Sequence, residues 1–206
     1  MAERGRPRGF DRTQALAKAM ELFWEKGYEG ASMAELTSTM GIGSPSLYAA
    51  FGSKEGLFRE AVALYSATDG APIWASALAA STAYGTVEAL LMTTAREFSR
   101  SDKPRGCLVI LSALHATEAS ANVRAELAAR RAHNTRLLAE HLAQGIERGE
   151  LSPTVDLEAV ARYYITVQQG MSIQARDGAD REALESIARS ALAAWQPLTQ
   201  ATPSPA

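Results

Sequence analysis

The chain has 206 residues, 47% of them hydrophobic, which is enough for one substantial domain or two small ones with an ample core. Its single cysteine excludes an intramolecular disulfide framework, and its three histidines, none at i,i+4 spacing, leave few ligands for a metal, so we expect no cofactor. The formal net charge of -2 excludes a nucleic-acid-binding protein built as one large basic body, although a local basic region can still bind DNA.

The first nine residues are basic because they contain Arg4, Arg6 and Arg8. They lack the apolar stretch of a signal peptide, and no run in the chain approaches the roughly 20 apolar residues that a membrane span needs. We therefore expect a cytoplasmic protein without a membrane partner. We also expect residues 1–9 to form a flexible basic arm.

The rest of the chain predicts an all-α fold. Alternation with period 2 is scarce, whereas Ala, Leu, Glu and Arg dominate and apolar residues recur at helical spacing. The first helix is predicted from Asp11, a good N-cap, to Lys26, because Gly27 follows as a stop signal.

Two short helices with a tight turn between them come next. Ser32 and Glu35 form a capping box that opens the second helix, which ends at the turn Gly41-Ile42-Gly43. Ser44 is the predicted N-cap of a third helix over residues 46–51. Two short helices joined by a glycine-containing turn with an apolar residue in it predict a helix-turn-helix, a DNA-binding motif.

Longer helices are predicted for the remainder of the chain. A fourth helix begins at Lys54 and bridges the two parts. The other predicted helices carry Tyr84 to Phe98, Cys107 to Leu114, Ala121 to Arg148, Leu157 to Arg176, and the residues from Asp180 through Trp195. After Gln196 the chain is rich in Pro, Ser and Thr, which predicts a disordered tail.

Six short segments resemble the DNA-binding signature of the TetR family of bacterial repressors. They are Ala19 to Phe23, Lys26 to Tyr28, Ser32-Met33, Met40 to Ile42, Ser46 to Tyr48 and Phe51 to Lys54. The resemblance covers about Gly9 to Phe58 and is loose afterwards. It implies about nine helices, a homodimer and a palindromic operator of double-stranded DNA, usually with a small apolar or amphipathic effector. Repression, as opposed to activation, is inferred from the habit of the family.

This resemblance gives the predicted segments their expected roles. Residues 10–57 are expected to form a three-helix DNA-binding domain that contains the helix-turn-helix. Residues 58–196 are expected to form a helical domain for effector binding and dimerisation, and residues 197–206 the disordered tail. Because no flexible interdomain linker is evident, the two domains should share a packed boundary.

The resemblance also implies phosphate contacts at single positions. Tyr48 matches the phosphate-contacting aromatic residue of the family, and Lys54 matches its phosphate-binding lysine at the start of the fourth helix. Ser32 lies where a phosphate could meet free backbone N–H groups, but it is also a plain helix cap. Both roles can hold together.

The third helix departs from the commonest family pattern, which has Lys near its start and His or Tyr before the phenylalanine. Here those positions hold Ser44, Ala49 and Ala50. Ser44 and Ser46 can hydrogen-bond to bases or phosphates, and the methyl group of Ala49 can meet a thymine methyl. The alternative is that the two alanines only let the helix lie close to the groove. Direct base readout should be modest.

The basic arm resembles the core of an AT-hook at residues 4–8, Arg-Gly-Arg-Pro-Arg. In such a segment glycine permits close approach, proline keeps the chain extended, and a narrow A·T minor groove attracts arginine. Arg4, Arg6 and Arg8 are therefore candidate DNA contacts beside the helix-turn-helix. The alternative is a solvated tail.

Candidates for the effector pocket lie on helices that surround the effector cavity in this family. They are Trp74, Tyr84, Met92, Phe98, Cys107, His115, Tyr164, Gln168 and Met171. Most such residues at helical spacing are simply core, and His115 fits the core or the rim of a pocket. The last two helices are expected to form a four-helix bundle across a two-fold axis. Its interface candidates are Tyr163, Gly170, Ala188, Ala191 and Trp195.

Cys107 is a candidate sensor of oxidants or electrophiles. It lies at a predicted helix start next to Arg105, where free N–H groups and a guanidinium would favour the thiolate. Some TetR-like repressors with a comparable Gly-Cys segment are thought to respond in this way. The alternative is a small buried hydrophobe among Leu108, Val109 and Leu111.

Enzymatic motifs are absent from the sequence: there is no G-x-S-x-G, Walker-type loop or H-E-x-x-H. We therefore do not expect an enzyme. A helical enzyme with its acid–base groups in the C-terminal half would be revealed by saturable turnover without DNA. A constitutive DNA-organising protein would be favoured by a C-terminal half that contains no cavity.

Overall fold

The computed structural model describes residues 10–112 and 120–200, and these ranges contain helices and no strand. The helices are α1 (Arg12–Gly30), α2 (Met33–Met40), α3 (Ser44–Phe51), α4 (Lys54–Ala67), α5 (Ala71–Leu78), α6 (Ala83–Phe98), α7 (Leu108–Leu111), α8 (Ala121–Glu147), α9 (Leu157–Arg176), α10 (Arg181–Leu192) and α11 (Trp195–Thr199). The all-α prediction is confirmed. Within the described ranges, no helix has the length and apolar character that a membrane span requires.

Two of these helices go beyond the nine or so that the sequence predicts. The first is α5, which has a proline in its first turn. The second is α11. Helix α10 ends with Ala193 as its C-cap, and Trp195 begins a separate short helix instead of continuing α10. Residues 197–199 are therefore helical, while residues 201–206 lie outside the described part of the chain.

The helix-turn-helix forms where local capping predicts it. Ser32 and Glu35 make the capping box of α2, and Gly41, with φ of 71°, ends that helix in the left-handed conformation. The N-cap of α3 is Gly43, so the predicted cap Ser44 is instead the first residue of the helix. That correction is small because Pro45 remains in the first turn, where its missing N–H is harmless.

Helices α1 to α4 enclose one hydrophobic core, which we call the head. Phe23, Leu36, Leu47 and Leu57 are fully buried in it. The ring of Phe58 meets that of Phe23 edge to face, with 5.0 Å between the ring centroids. The core of the head thus holds the inner face of α3 through Leu47.

A second core, which we call the body, lies among α5, α6, α9 and α10. Helix α6 contacts each of the other three helices. Leu91, Phe98, Tyr164 and Leu184 are fully or almost fully buried there. Because α6 is covered on several sides, it forms the centre of the body.

Helix α8 joins the two cores. In its first half Val123 and Leu127 pack into the head, together with Leu108 of α7, whereas in its second half Leu138 and Leu142 pack into the body. The sequence predicts that α4 bridges the two parts. The structure gives that bridging role to α8 as well.

A cluster of hydrogen bonds around Trp24 ties α1 to the body. The indole Nε1 donates to the carbonyl of Gly106 at 3.1 Å, and Arg176 donates to the carbonyl of Trp24 at 2.6 Å and to that of Glu25 at 3.1 Å. Gly27, with φ of 73°, breaks the helical backbone of α1. The carbonyls just before such a break need outside donors, and Arg176 supplies them.

Gly106 is predicted to tolerate no side chain. Its φ is +80°, and a Cβ there would lie 2.7 Å from the carbonyl oxygen of Ser172. Gly149 is the matched control, since its φ is +73° and nothing lies within 4 Å of a Cβ. We expect Gly149→Ala to lower the free energy of unfolding by about 1–2 kcal/mol, from backbone strain alone. Gly106→Ala should lose about 1–3 kcal/mol more, because of the clash. Equal losses in urea unfolding would contradict this account.

Candidate DNA-binding surface and internal cavity

Helix α3 presents its small and polar residues outward. Ser44, Ser46, Tyr48 and Ala49 are all exposed, Tyr48 at 51%, while Leu47 faces the core. An exposed tyrosine among serines and alanine is suited to polar contacts with phosphates and close approach to a groove. The predicted DNA-contacting residues of this helix are therefore all accessible from outside the head.

Lys54 lies at the first position of α4, after the N-cap Ser53. Its ammonium group is 4.5 Å from the centroid of the Tyr28 ring, and burial lowers its pKa. The cation–π contact holds the side chain at the surface of the head, where the charge of Glu29 acts against burial and raises the pKa of Lys54. A lysine in this position can bind a phosphate.

Ser32 uses more of its hydrogen-bonding groups within the protein than the sequence suggests. Its backbone N–H and its hydroxyl both donate to the Glu35 carboxylate, at 3.0 Å and 2.8 Å. The hydrogen bond from Lys26 and those from Ser32 lower the pKa of Glu35 to about 2, so this carboxylate is ionised at neutral pH. A negative charge at this cap disfavours a phosphate there, and the geometry favours the reading of Ser32 as a plain cap.

Arg12 is a positioning residue of the head that the sequence did not reveal. Its guanidinium lies 4.4 Å from the centroid of the Phe51 ring, donates to the carbonyl of Ala50 at 3.2 Å and pairs with Glu60 at 2.7 Å. It thereby fixes the end of α3 against α1 and α4. Arg4, Arg6 and Arg8 lie outside the described residues.

A cavity of about 100 Å³ lies between the head and the body. Ile73, Trp74 and Phe98 contribute apolar walls, and Tyr65 of α4 and Arg131 of α8 contribute polar ones. Of the nine predicted pocket residues, this cavity is lined by Trp74, Phe98, Cys107 and Gln168. Tyr65, Arg131 and Asn134 were not among the predicted pocket residues, because the fourth helix was expected to bridge the two parts and the helix from Ala121 to Arg148 was given no role in the pocket.

The other predicted pocket residues lie elsewhere. Tyr84 and Met92 line an open depression beside Arg189 of α10. Tyr164 and Met171 are fully buried in the core of the body. His115 lies outside the described residues. Helical spacing gives the face on which a residue lies, but not the element that this face meets, and that is why these assignments differ from the structure.

Of the two interpretations of Cys107, the structure favours the small buried hydrophobe over the thiolate. Burial raises the pKa of this thiol, even though the residue is not fully buried. The guanidinium of Arg105 donates to the carbonyls of Gly178 and Ala179, at 3.0 Å and 3.4 Å, and so is engaged by the body. Cys107 therefore rests as a thiol that receives a hydrogen bond from the Tyr65 hydroxyl.

The predicted dimer residues fall into two groups. Ala188, Ala191 and Trp195 are buried in the body of their own chain, Ala188 at 0% exposure, so a partner subunit cannot reach them directly. Tyr163 is 37% exposed and Gly170 is exposed as well. Among the described residues, no cluster of three or more His, Cys, Asp or Glu side chains is placed to hold a metal ion.

A helix-turn-helix with a free recognition helix, fixed on a larger helical body, defines the class of the protein: it is a helix-turn-helix DNA-binding transcriptional regulator. The family described as "Bacterial regulatory proteins, tetR family" matches residues 15–61, and the "Tetracyclin repressor-like, C-terminal domain" matches residues 75–191. The chain belongs to the TetR family.

Several known proteins resemble the chain over almost its whole length. The HTH-type transcriptional repressor ComR of Escherichia coli K12 is 37% identical over 201 residues, which are 96% of this chain and 94% of ComR. The repressor BdcR of the same strain is 34% identical over 181 residues, 87% of this chain and 86% of BdcR. A solved structure of a cysteine-substituted TetR-family regulator CifR, complexed with 26-base-pair operator DNA, is 48% identical with a TM-score of 0.89, covering 92% of this chain and all of that one.

The Tyr65 hydroxyl is predicted to tune the acidity of Cys107. Because its hydrogen bond lowers the pKa of Cys107 against the effect of burial, Tyr65→Phe should raise that pKa further. We expect the midpoint of the pH profile of alkylation by iodoacetamide to move to higher pH. Ser66→Ala, another residue of the cavity wall, is the control and should leave the midpoint unchanged. An unchanged midpoint in Tyr65→Phe would show that the hydroxyl does not act on the sulfur.

Proposed function

We propose that this protein is a repressor that binds an inverted-repeat operator as a homodimer and leaves it when a small effector fills the cavity. The observation that carries the proposal is the position of α4. Lys54 begins this helix at the DNA-facing side of the head, and Tyr65, in its last turn, lines the cavity. The two residues are eleven positions apart, which is about 16 Å of rigid helix.

The DNA contacts follow from the exposed side of the head. Helix α3 lies in the major groove, where Ser44, Ser46 and Ala49 meet base edges and Tyr48 meets the backbone. Lys54 binds a phosphate. The arm at residues 1–9 follows the adjacent minor groove, preferring A·T-rich flanks. A dimer presents two such surfaces, and its symmetry calls for a palindromic site. The related CifR has been solved in complex with 26-base-pair double-strand operator DNA.

The cavity supports a ligand-dependent switch, which a constitutive DNA-organising protein would not need. An occupant that displaces Tyr65 would tilt α4 and move Lys54 away from its phosphate, because the helix transmits the movement as a rigid body. Helix α8 would carry the same movement to the head, through Leu127 and through the ion pair between Glu126 and Arg59 at 2.9 Å. Because the operator is DNA, we expect the protein to act in the cytoplasm.

The dimer forms through an uncharged stripe on α9. Tyr163, Thr166, Gly170 and Ile173 follow one another at helical spacing, and all four are exposed. Tyr163 and Ile173 are among the large hydrophobic side chains with high exposure, at 37% and 39%. Because Gly170 has no atom within 4 Å of a Cβ position, it leaves room for a second helix to approach closely. A second copy of this surface across a two-fold axis would cover the stripe.

Lys54→Ala is expected to weaken operator binding and to make it less sensitive to salt. Loss of one phosphate contact should reduce the slope of log K against log salt by about 0.9. Lys103→Ala is the charge-matched control, because Lys103 is paired with Glu21 at 2.6 Å at the junction with the body. Fluorescence anisotropy at several salt concentrations measures both slopes. An unchanged slope and affinity in Lys54→Ala would contradict the assigned role of Lys54.

Gly170→Arg is expected to produce a monomer, because it introduces a charge into the centre of the proposed interface. The monomer should lose most of its affinity for an inverted repeat. Ala128→Arg, at an exposed position of α8, is the control and should remain a dimer. Sedimentation velocity distinguishes the two states. A Gly170→Arg protein that still sediments as a dimer would refute the α9 interface.

A further inference from the structure

Arg131 gives the cavity a positive charge. It lies on the inward face of α8, four residues after Leu127 of the head core and seven before Leu138 of the body core. It lines the cavity together with Asn134, one turn further along the same face. Its Nη1 atom is buried and has no hydrogen-bond partner in the described part of the chain.

Other arginines close to the head have carboxylate partners. Arg12 pairs with Glu60, Arg59 with Glu126, and Arg130, the neighbour of Arg131, also with Glu126. No such pair involves Arg131 within the described residues. A guanidinium stays charged at all physiological pH values. The buried nitrogen of Arg131 is therefore an unsatisfied hydrogen-bond donor.

The other ionisable groups in the cavity wall are neutral. Burial raises the pKa of the Cys107 thiol and raises that of the Tyr65 hydroxyl well above its usual value, so neither is an anion at neutral pH. Among the described residues, the wall contains no carboxylate. The partly buried charge of Arg131 therefore has no counter-ion among the described residues of the cavity, and leaving its buried nitrogen unpaired is unfavourable.

The rest of the wall limits what kind of anion fits. Trp74, Phe98 and Ile165 form an apolar surface, whereas Asn134 and Gln168 provide amides. The Gln168 amide is already oriented, since its Nε2 donates to the Thr94 hydroxyl at 3.0 Å. The volume of about 100 Å³ is smaller than the ~150 Å³ of an engineered cavity that binds benzene. A highly hydrated ion such as phosphate has no apolar part to place against these walls.

We propose that the cavity binds a small carboxylic acid in its ionised form, with the carboxylate on Arg131 and a short hydrocarbon tail against Trp74 and Phe98. This inference rests on the proposed function, in which the same cavity receives the effector. A carboxylate accepts two parallel hydrogen bonds from a guanidinium, which is the geometry that Arg131 can offer. The bound anion would also contact α8 and α4 at the same time.

Isothermal titration of the full chain with butyrate and with its neutral isostere butyramide tests the proposal at constant ionic strength. Wild type should bind butyrate saturably and about tenfold or more tighter than butyramide, because a hydrogen bond to a charged partner is worth that much. Arg131→Gln should abolish the preference and leave butyramide binding unchanged. Inorganic phosphate should not compete with butyrate.

Two further variants keep the test decisive. Arg136→Gln removes an exposed positive charge from the same helix and should retain the full preference. Arg131→Lys keeps the positive charge but lacks the planar guanidinium, so it should still favour butyrate over butyramide, by a smaller factor. It replaces Arg131→Gln in the test if that variant does not fold. Equal affinity of wild type for the two compounds, no saturable butyrate binding, or a preference that survives in Arg131→Gln would each overturn the inference.

Operator titrations separate this inference from the proposed function. If butyrate binds as expected but does not weaken operator binding, the carboxylate site stands and the effector role of the cavity fails. If butyramide binds and releases the operator while butyrate does not bind, the effector role stands and the carboxylate inference fails. The two claims therefore have different failing results.

Discussion

The contacts of Trp24 are the constraint on which the rest of the structure depends. This residue of the head is almost completely buried, donates to Gly106 before α7, and has its carbonyl held by Arg176 of α9. Its ring meets that of Tyr65 edge to face, with 4.7 Å between centroids. The indole thus links α1 to α4 and to the segment before α7, and the backbone carbonyl of the same residue links α1 to α9. Together with α4 and α8, which also connect head and body, these contacts fix the recognition helix relative to the cavity.

Tyr65 extends this junction into the cavity. It packs on Trp24, hydrogen-bonds to Cys107 and forms part of the cavity wall. On the opposite wall, α8 carries Arg131 between residues that belong to the two cores. A ligand between these walls therefore touches both helices that connect the body to the head. The likeness to repressors over almost the whole chain agrees with such a two-part device.

The sequence predicts local features well and distant ones poorly. Caps such as Asp11 and Ser32 act within three residues, so the helix starts they mark are confirmed. The hydrogen bond from Trp24 to Gly106 joins residues 82 positions apart, and no local sequence pattern predicts it. The cavity wall depends on such distant pairings, which explains why Arg131 was missed and Tyr164 was assigned to the pocket.

Native-state hydrogen exchange of the full chain and of Trp24→Leu tests the central claim, that Trp24 joins head and body into one cooperative unit. Loss of the buried indole should let the head open separately, so amides of α1 to α4 should exchange on the order of tenfold faster or more, while those of α9 and α10 keep their protection. Unchanged exchange in the head, or an equal loss of protection in α9 and α10, would contradict the claim.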